Sequence, residues 1–587
     1  MSARAVKIPP VVAGLAGAAA MIAVVTLAAR VVGFGRWFVF SASVGSTCVG
    51  TAYSSANLVP NVLFEVVAGG ALAATVVPLL AGPLVRGERA EADRTASALL
   101  TWAVLVLVPL ALVLALLAGP IARLLVPNDC AGQAALAARM LVVFAPQVVL
   151  YGVGIVLAGV LQAHRRFIAP ALAPLLSSVV VVAAYVAYRR LADGRQGTGW
   201  TPGRGTELVL SLGTTAGVAM LSLPLLLAAH RAGVRLRPTL RLAPGVGIQA
   251  RRLALAGLAG LLAQQAVVVV TLLLTNRAGG SGTINVYQYV QAVYLLPYAV
   301  LAVPLATAAF PQLAERAAAG DAPGFTATLA RSTRLVVLVA AAGAAVLAAV
   351  APAVGGVFSA VDASRQGGPG AVALDGFAAS LTAFAPGLLG LALVAHLGRA
   401  LFAAGHARWA AGATAGGWLL AGVLSVVLVS LTASGDRNPR ATLLALGVAS
   451  SIGMTAAGIA LLVGAARVRV AGDGVDGRTS YGALPGLVGT LAAAVAVGLV
   501  AAVLGRLATD ALLALEPLGD SGVGALLAGT VGGLVAGLVL AAGWGFSADL
   551  RTLLRRAPVV QVSTDGVSTD GESTDGQSPV AAVRNPQ

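Results

Sequence analysis

Charge is scarce in this chain: 10% of its 587 residues are Asp, Glu, Lys or Arg, against 58% hydrophobic. A soluble globular domain carries about a quarter charged residues, so that class is excluded. Cysteine is nearly absent, and Cys48 and Cys130 show neither metal-ligand spacing nor a disulfide framework, so they read as two incidental thiols. No G-x-x-x-x-G-K-[ST] loop occurs, which removes nucleotide-driven pumping. Sizeable polar loops and intramembrane catalytic clusters are also missing, so an enzyme is not expected, nor is a metal or any other cofactor.

What the chain does have is fourteen apolar stretches between residues 11 and 546, each long enough to cross a bilayer. A crossing helix needs about 20 residues, because the hydrocarbon core is ~30 Å thick. The second stretch lies near 55–82 and the eighth near 284–312. The runs are continuous rather than alternating, which favours helices over a closed barrel. The expected class is therefore an all-α polytopic membrane protein, rich in the small residues that let helices approach closely and slide.

The net charge of +16 invites a nucleic-acid reading. In a chain this apolar, asymmetry between the two faces of the bilayer is the first explanation, and no nucleic-acid partner is expected. Counting alternate loops, 25 of the 38 lysines and arginines fall on the side that holds both termini. Both termini are expected in the cytoplasm. The first stretch has no cleavage site and is too long for a signal-peptide core, so it stays in the protein.

An internal repeat divides the chain. L-A-A-T-V-V-P-L-L-A ends the second stretch at Pro78, and L-A-T-A-A-F-P-Q-L-A ends the eighth at Pro311. H-R-R-F-I-A-P-A from His164 and H-A-R-W-A-A-G-A from His406 form a second pair. An offset of six spans keeps both copies in one orientation, as in transporters whose lobes rock about a site at their interface. The expected organisation is a six-helix lobe over 1–240, a second over 241–470, two extra helices within 471–557, and a disordered cytoplasmic tail over 558–587. That tail repeats S-T-D-G three times and cannot bury enough apolar surface to fold.

Several motifs in order carry a family resemblance. They are A-R-V-V-G-F-G-R at 29–36, N-L-V-P-N-V-L-F-E-V-V-A-G-G-A-L at 57–72, A-P-Q-V-V-L-Y-G at 145–152 and L-Q-A-H-R-R-F-I-A-P-A-L-A-P at 161–174. Y-L-L-P at 294–297, A-V-P-L-A-T-A-A-F-P-Q-L at 302–313 and R-A-L-F-A-A-G-H-A-R at 399–408 continue the series. The chain resembles the MurJ (MviN) family, the lipid II flippases of the multidrug/oligosaccharidyl-lipid/polysaccharide exporter superfamily, over roughly residues 15–545. The resemblance implies two lobes around a cavity that opens alternately to each side, and a groove for a polyprenyl tail built by the last two helices.

Arginine inside a span is penalised by ~2.5–3.5 kcal/mol on insertion scales, so such residues default to functional or paired positions. The resemblance implies that Arg30 faces the cavity and meets the diphosphate of the substrate; snorkelling to the interface is the competing expectation. Arg36 matches the second arginine of the same motif. Asn57, Asn61 and Glu65 share one helix face, suited either to substrate contact or to bonds between helices. Glu65 is placed to pair with Arg30 or Arg36 while the cavity is empty. Arg139 is a further cavity candidate or an interfacial anchor, and Gln264, Gln288 and Gln291 supply uncharged donors and acceptors from the second lobe. His164 and His406 read as turn-holding residues beside anionic headgroups.

The chain also departs from the family pattern. Thr51, Phe64-Glu65, Ala292 and Leu295 stand where well-studied members carry charges. Spans seven, eleven and twelve hold no acidic residue for a sodium site, which leaves the membrane potential as the simpler drive. The expected function is a flippase moving an undecaprenyl-diphosphate-linked peptidoglycan precursor across the cytoplasmic membrane of a bacterium. Its expected partners are that precursor, membrane lipids and the cell-wall synthesis machinery. Export of another lipid-linked glycan or a small amphiphile, and a non-transporting envelope-assembly scaffold, remain open.

Overall fold

The computed structural model describes residues 10–66, 73–127, 129–197, 201–241, 246–366, 370–433, 436–467, 469–471, 478–480, 486–515 and 521–546. Continuous apolar runs become helices because each then satisfies its own backbone groups within the bilayer. In the first half these are α1 (Pro10–Ser43), α2 (Cys48–Phe64), α3 (Ala73–Val85), α4 (Arg89–Leu116), α5 (Ala118–Leu125), α6 (Gln133–Phe144), α7 (Gln147–Ala163), α8 (Ile168–Ala192) and α9 (Arg204–Arg231). The second half contains α10 (Val246–Leu274), α11 (Thr283–Pro297), α12 (Val303–Ala318), α13 (Ala322–Val361), α14 (Ala371–Leu374), α15 (Phe377–Phe384), α16 (Gly387–Ala403), α17 (Ala407–Thr432) and α18 (Pro439–Ala466). Then come α19 (Leu487–Leu513) and α20 (Gly522–Phe546).

Side chains set several of the boundaries. Thr47, Asp321 and Asn438 cap α2, α13 and α18 by accepting from the amides of Gly50, Gly324 and Ala441. A π-helical turn at Tyr298–Ala302 joins α11 to α12, so residues 283–318 form one continuous span.

Twelve helices among the described residues are long and apolar enough to cross a membrane, or thirteen if the pair Ala371–Phe384 and Gly387–Ala403, bent by 51°, counts as one. Length and apolarity thus do not reproduce the expected fourteen. The second expected span, 55–82, is divided between α2 and α3, with residues 67–72 outside the described residues. The only strands among the described residues are Arg469–Ala471 and Arg478–Ser480, paired antiparallel between α18 and α19. The tail at 558–587 lies outside the described residues.

Residues up to Gly543 form one compact unit, and those from Trp544 onward a second, of which Trp544–Phe546 are described. Within the first unit, α8 lies along α1 and α9, α7 along α4 and α9, and α2 along α6. Further on, α17 packs on α10 and α18, α16 on α13 and α18, and α19 on α13. Where the two sets meet, α11 touches α1 and α2, and α10 touches α2 and α3. Aromatics are 5% of the chain but concentrate at this junction. Phe358 stacks between Phe38 at 4.6 Å and Tyr289 at 4.8 Å, and Phe40 lies 5.5 Å from Tyr53.

Cys48 and Cys130 are joined by a disulfide, with Cα atoms 6.2 Å apart, which corrects the reading of two incidental thiols. The pairing has no sequence signature because 82 residues separate the two; packing of α2 on α6 brings them together. Closing a loop of that length restrains the unfolded chain by about 4.5 kcal/mol. Replacing both cysteines by serine is therefore expected to lower the Tm of the detergent-solubilised protein by several degrees. An unchanged melting curve would remove the disulfide from the stability account.

Candidate functional site

A cavity of about 340 Å³ lies where the two sets of helices meet. From α1 it receives Arg36, Trp37 and Phe40, and from α2 Tyr53, Ser54, Asn57 and Asn61. Tyr151, Tyr185 and Thr214 close one side, and Gln288, Gln291, Ala292 and Leu295 of α11 close the other. Among the described residues, Arg36 is the one charged residue of the lining. No carboxylate pairs with it among the described residues, and its guanidinium sits 5.8 Å from the centre of the Trp37 ring.

The remaining polar groups are neutral. The Tyr53 hydroxyl is 2.9 Å from those of both Tyr185 and Thr214, and Gln291 donates to the Tyr287 hydroxyl at 2.8 Å. Asn57 Oδ1 is buried with no hydrogen-bond partner among the described residues. A single fixed cation among uncharged donors, acceptors and aromatic faces is complementary to an anion linked to a polar, uncharged body.

Five of the nine sequence-based site residues therefore line one cavity: Arg36, Asn57, Asn61, Gln288 and Gln291. The other four do not. Arg30, six residues before Arg36 on α1, is exposed and is not among the residues that line this cavity. Glu65 is exposed at the end of α2 and forms no ion pair with Arg30 or Arg36, contrary to the expected pairing. Gln264 is half-buried on α10, away from the cavity lining.

Arg139 has a structural partner that sequence reading missed. Its guanidinium clamps the buried Glu207 carboxylate of α9 through three hydrogen bonds of 2.8–3.0 Å. The Arg139 side chain is 43% exposed and that of Glu207 4%. The pair ties α6 to α9 and lies outside the cavity. Arg139→Ala would strand a buried charge, which is expected to cost about 1–3 kcal/mol. Adding Glu207→Gln should restore part of that loss in thermal melts. If the double variant melts no higher than the single one, the clamp is not what holds the two helices.

Beyond the cavity, toward the end of α1, the two sets of helices are sealed together. Asp362, at the end of α13, is 2% exposed although it carries a carboxylate. Its oxygens accept from the hydroxyls of Ser41 and Ser46 at 2.7 and 2.8 Å, from the Ser46 amide at 3.0 Å, from the Ser364 amide at 2.9 Å and from the Tyr289 hydroxyl at 3.2 Å. Around it, Asn285 donates to the Gly45 carbonyl, the Gly282 amide to Thr51 Oγ1, and Asn276 to Ser55. Ser281 and Arg437 both engage Asp129.

Glycine makes the approach possible. Gly45 (φ 69°) and Gly282 (φ 91°) hold left-handed conformations, and a Cβ would fall 2.8 Å from that of Ala363 in the first case and 2.6 Å from the Ser46 carbonyl oxygen in the second. Of these seal residues only Thr51 was singled out from sequence, as a departure from the family pattern. Asp362 lies just past an apolar run, where an acidic residue ordinarily marks a solvated loop.

Comparison with known proteins adds to this geometry. The sequence profile of the family described as "Lipid II flippase MurJ" matches residues 40–513. The chain is 31% identical over 239 residues to a probable lipid II flippase MurJ of Synechocystis sp., covering 40% of this chain and 43% of the relative. It is 26% identical over 308 residues to a probable lipid II flippase MurJ of Rhizobium meliloti, covering 50% and 54%. The chain thus spans about half the length of the curated relatives it matches. Among solved structures, a lipid II flippase MurJ in an inward closed conformation superposes with a TM-score of 0.67 at 17% identity, covering 91% of this chain and 100% of that one. An inward-facing MATE-family multidrug resistance transporter of the MOP superfamily superposes at 0.59 and 15% identity, covering 74% and 93%. At those identities the likeness establishes the fold.

Proposed function

Because the chain belongs to the MurJ family of lipid II flippases, we propose that it moves an undecaprenyl-diphosphate-linked peptidoglycan precursor across a bacterial cytoplasmic membrane by alternating access. The observation that carries this reading is Arg36, a guanidinium without a carboxylate partner among the described residues, set in a cavity of otherwise neutral polar groups. A diphosphate would meet the guanidinium fork, and the sugars and peptide would meet Asn57, Asn61, Gln288 and Gln291. The polyprenyl tail stays in lipid, with α19 and α20 as its groove.

In this reading, residues 1–240 and 241–470 are the two moving lobes and both termini are cytoplasmic. The seal around Asp362 is the extracytoplasmic gate, closed here. Its bonds join α1 and α2 to α11 and α13, so it must break for the cavity to open on that side. Contact with the cell-wall synthesis machinery is a further part of the proposal. A bacterial strain depleted of its own lipid II flippase is expected to grow when this chain is expressed in its membrane. Failure to grow with the protein present and folded would contradict the reading.

One observation favours a second cargo. Ala292 and Leu295 line the cavity where well-studied family members carry charges, leaving a single cation. A lipid-linked glycan with one phosphate, or another small amphiphile, would suit that reduced charge. Transport of a monophosphate-linked lipid faster than the diphosphate-linked one by the reconstituted protein would favour this cargo.

A further inference from the structure

The turn between α7 and α8 carries backbone strain that its counterpart between α16 and α17 avoids. In the first turn the Arg165 amide donates to the Gln162 carbonyl at 2.9 Å and the Arg166 amide to that of Leu161 at 2.8 Å. In the second, Gly405 donates to Phe402 at 3.1 Å and His406 to Leu401 at 2.8 Å, the same closure. The residue that must turn left-handed has φ 80° at Gly405 and φ 58° at Arg165. Glycine adopts that conformation freely, whereas a side chain bearing a Cβ is strained there. One repeat therefore holds an arginine at a position whose geometry calls for glycine, and retained strain of this kind points to a function for the side chain.

What surrounds Arg165 gives that function a chemistry. Arg165, Arg166 and Arg231 rim an open crevice of about 460 Å³ between the start of α8 and the end of α9, floored by Phe167, Ile168 and Leu172. All three arginines are exposed, as are Phe167 and Ile168, each at 45%. No carboxylate pairs with any of the three among the described residues. The crevice shares no residue with the central cavity.

We propose that this crevice is a binding site for an anionic phospholipid, taken from the leaflet that meets the arginine-rich face of the protein. The phosphate sits among the three guanidinia, and one acyl chain lies over Phe167, Ile168 and Leu172. Guanidinium forks match phosphate oxygens, and basic pockets between membrane helices are suited to anionic headgroups. The apolar floor selects a phospholipid over a free anion, because it offers contact area that inorganic phosphate cannot use. Binding here requires no transport, so the proposal stands or falls independently of the cargo in the central cavity.

The full chain in uncharged detergent provides the test, with phosphatidylglycerol, phosphatidylcholine or inorganic phosphate added in turn. Phosphatidylglycerol is expected to raise the Tm more than phosphatidylcholine and to remain bound in native mass spectrometry; inorganic phosphate is expected to have no effect. Arg165→Gly and Arg231→Gln should each weaken phosphatidylglycerol binding by about fivefold. Arg165→Gly should also raise the Tm in phosphatidylcholine, since glycine relieves the strain, so its loss of lipid binding cannot be ascribed to unfolding. Equal shifts from the two lipids, or a double variant that binds phosphatidylglycerol within twofold of the wild type, would overturn the proposal. A shift reproduced by inorganic phosphate alone would assign the arginines to a free anion and overturn the lipid.

Discussion

Arg36→Ala is expected to lower transport of a diphosphate-linked lipid by about 10–100-fold while the protein remains folded and in the membrane. Hydrogen bonds to a charged partner contribute about 1.5–3 kcal/mol, and among the described residues no second cation lines the cavity to replace them. Arg36 has no carboxylate to strand, so its removal leaves no uncompensated buried charge. Arg36→Lys keeps the charge but loses the fork and the spread of the guanidinium over Trp37, and an intermediate rate is expected. Arg139→Ala is the matching control: its loss should appear in melting and not in the rate per folded molecule. Equal losses of rate for Arg36→Ala and Arg139→Ala would mean that general destabilisation, and not the cavity charge, sets the rate.

Asp362→Ala is expected to open the seal. The carboxylate accepts from Ser41, Ser46, Ser364 and Tyr289, so its removal leaves several buried donors without an acceptor. Removing one side of a buried charged network costs about 3–5 kcal/mol, enough to shift the closed-to-open ratio by 100-fold or more. The loss falls mainly on the closed state, because the bonds from Ser41 and Ser46 cross between the two sets of helices, whereas those from Tyr289 and Ser364 lie within the second set.

Hydrogen exchange should report this locally. The amides of Ser46 and Gly282, whose acceptors are Asp362 and Thr51, are expected to lose protection while those in the middle of α8 and α17 keep theirs. Asp362→Asn keeps the shape and some acceptor capacity, and should fall between. Uniform loss of protection across the chain would instead make Asp362 a residue of general stability.

The membrane architecture was legible because each span is a long apolar run that reads without reference to its neighbours. The cavity was partly legible for a similar reason: Asn57 and Asn61 fall one turn apart on α2, and Gln288 and Gln291 nearly one turn apart on α11. Direction was harder to read than position. Arg30 and Arg36 sit in one motif, yet only Arg36 lines the cavity. Arg139 found its carboxylate at Glu207, near the start of another helix, and no local pattern announces a partner that distant. Cys48 and Cys130 were misread for the same reason. Asp362 was passed over because burial is a property of the assembled seal: two glycine-mediated turns must close over that carboxylate before it differs from a loop residue.

The most direct test of the account is transport by the purified chain in sealed vesicles, using an undecaprenyl-diphosphate muropeptide labelled on its headgroup and read by access of a membrane-impermeant quencher. The account predicts that label crosses to the opposite leaflet, and that crossing falls at least about tenfold with Arg36→Ala. Crossing at the same rate in protein-free vesicles, or undiminished by Arg36→Ala, would contradict it.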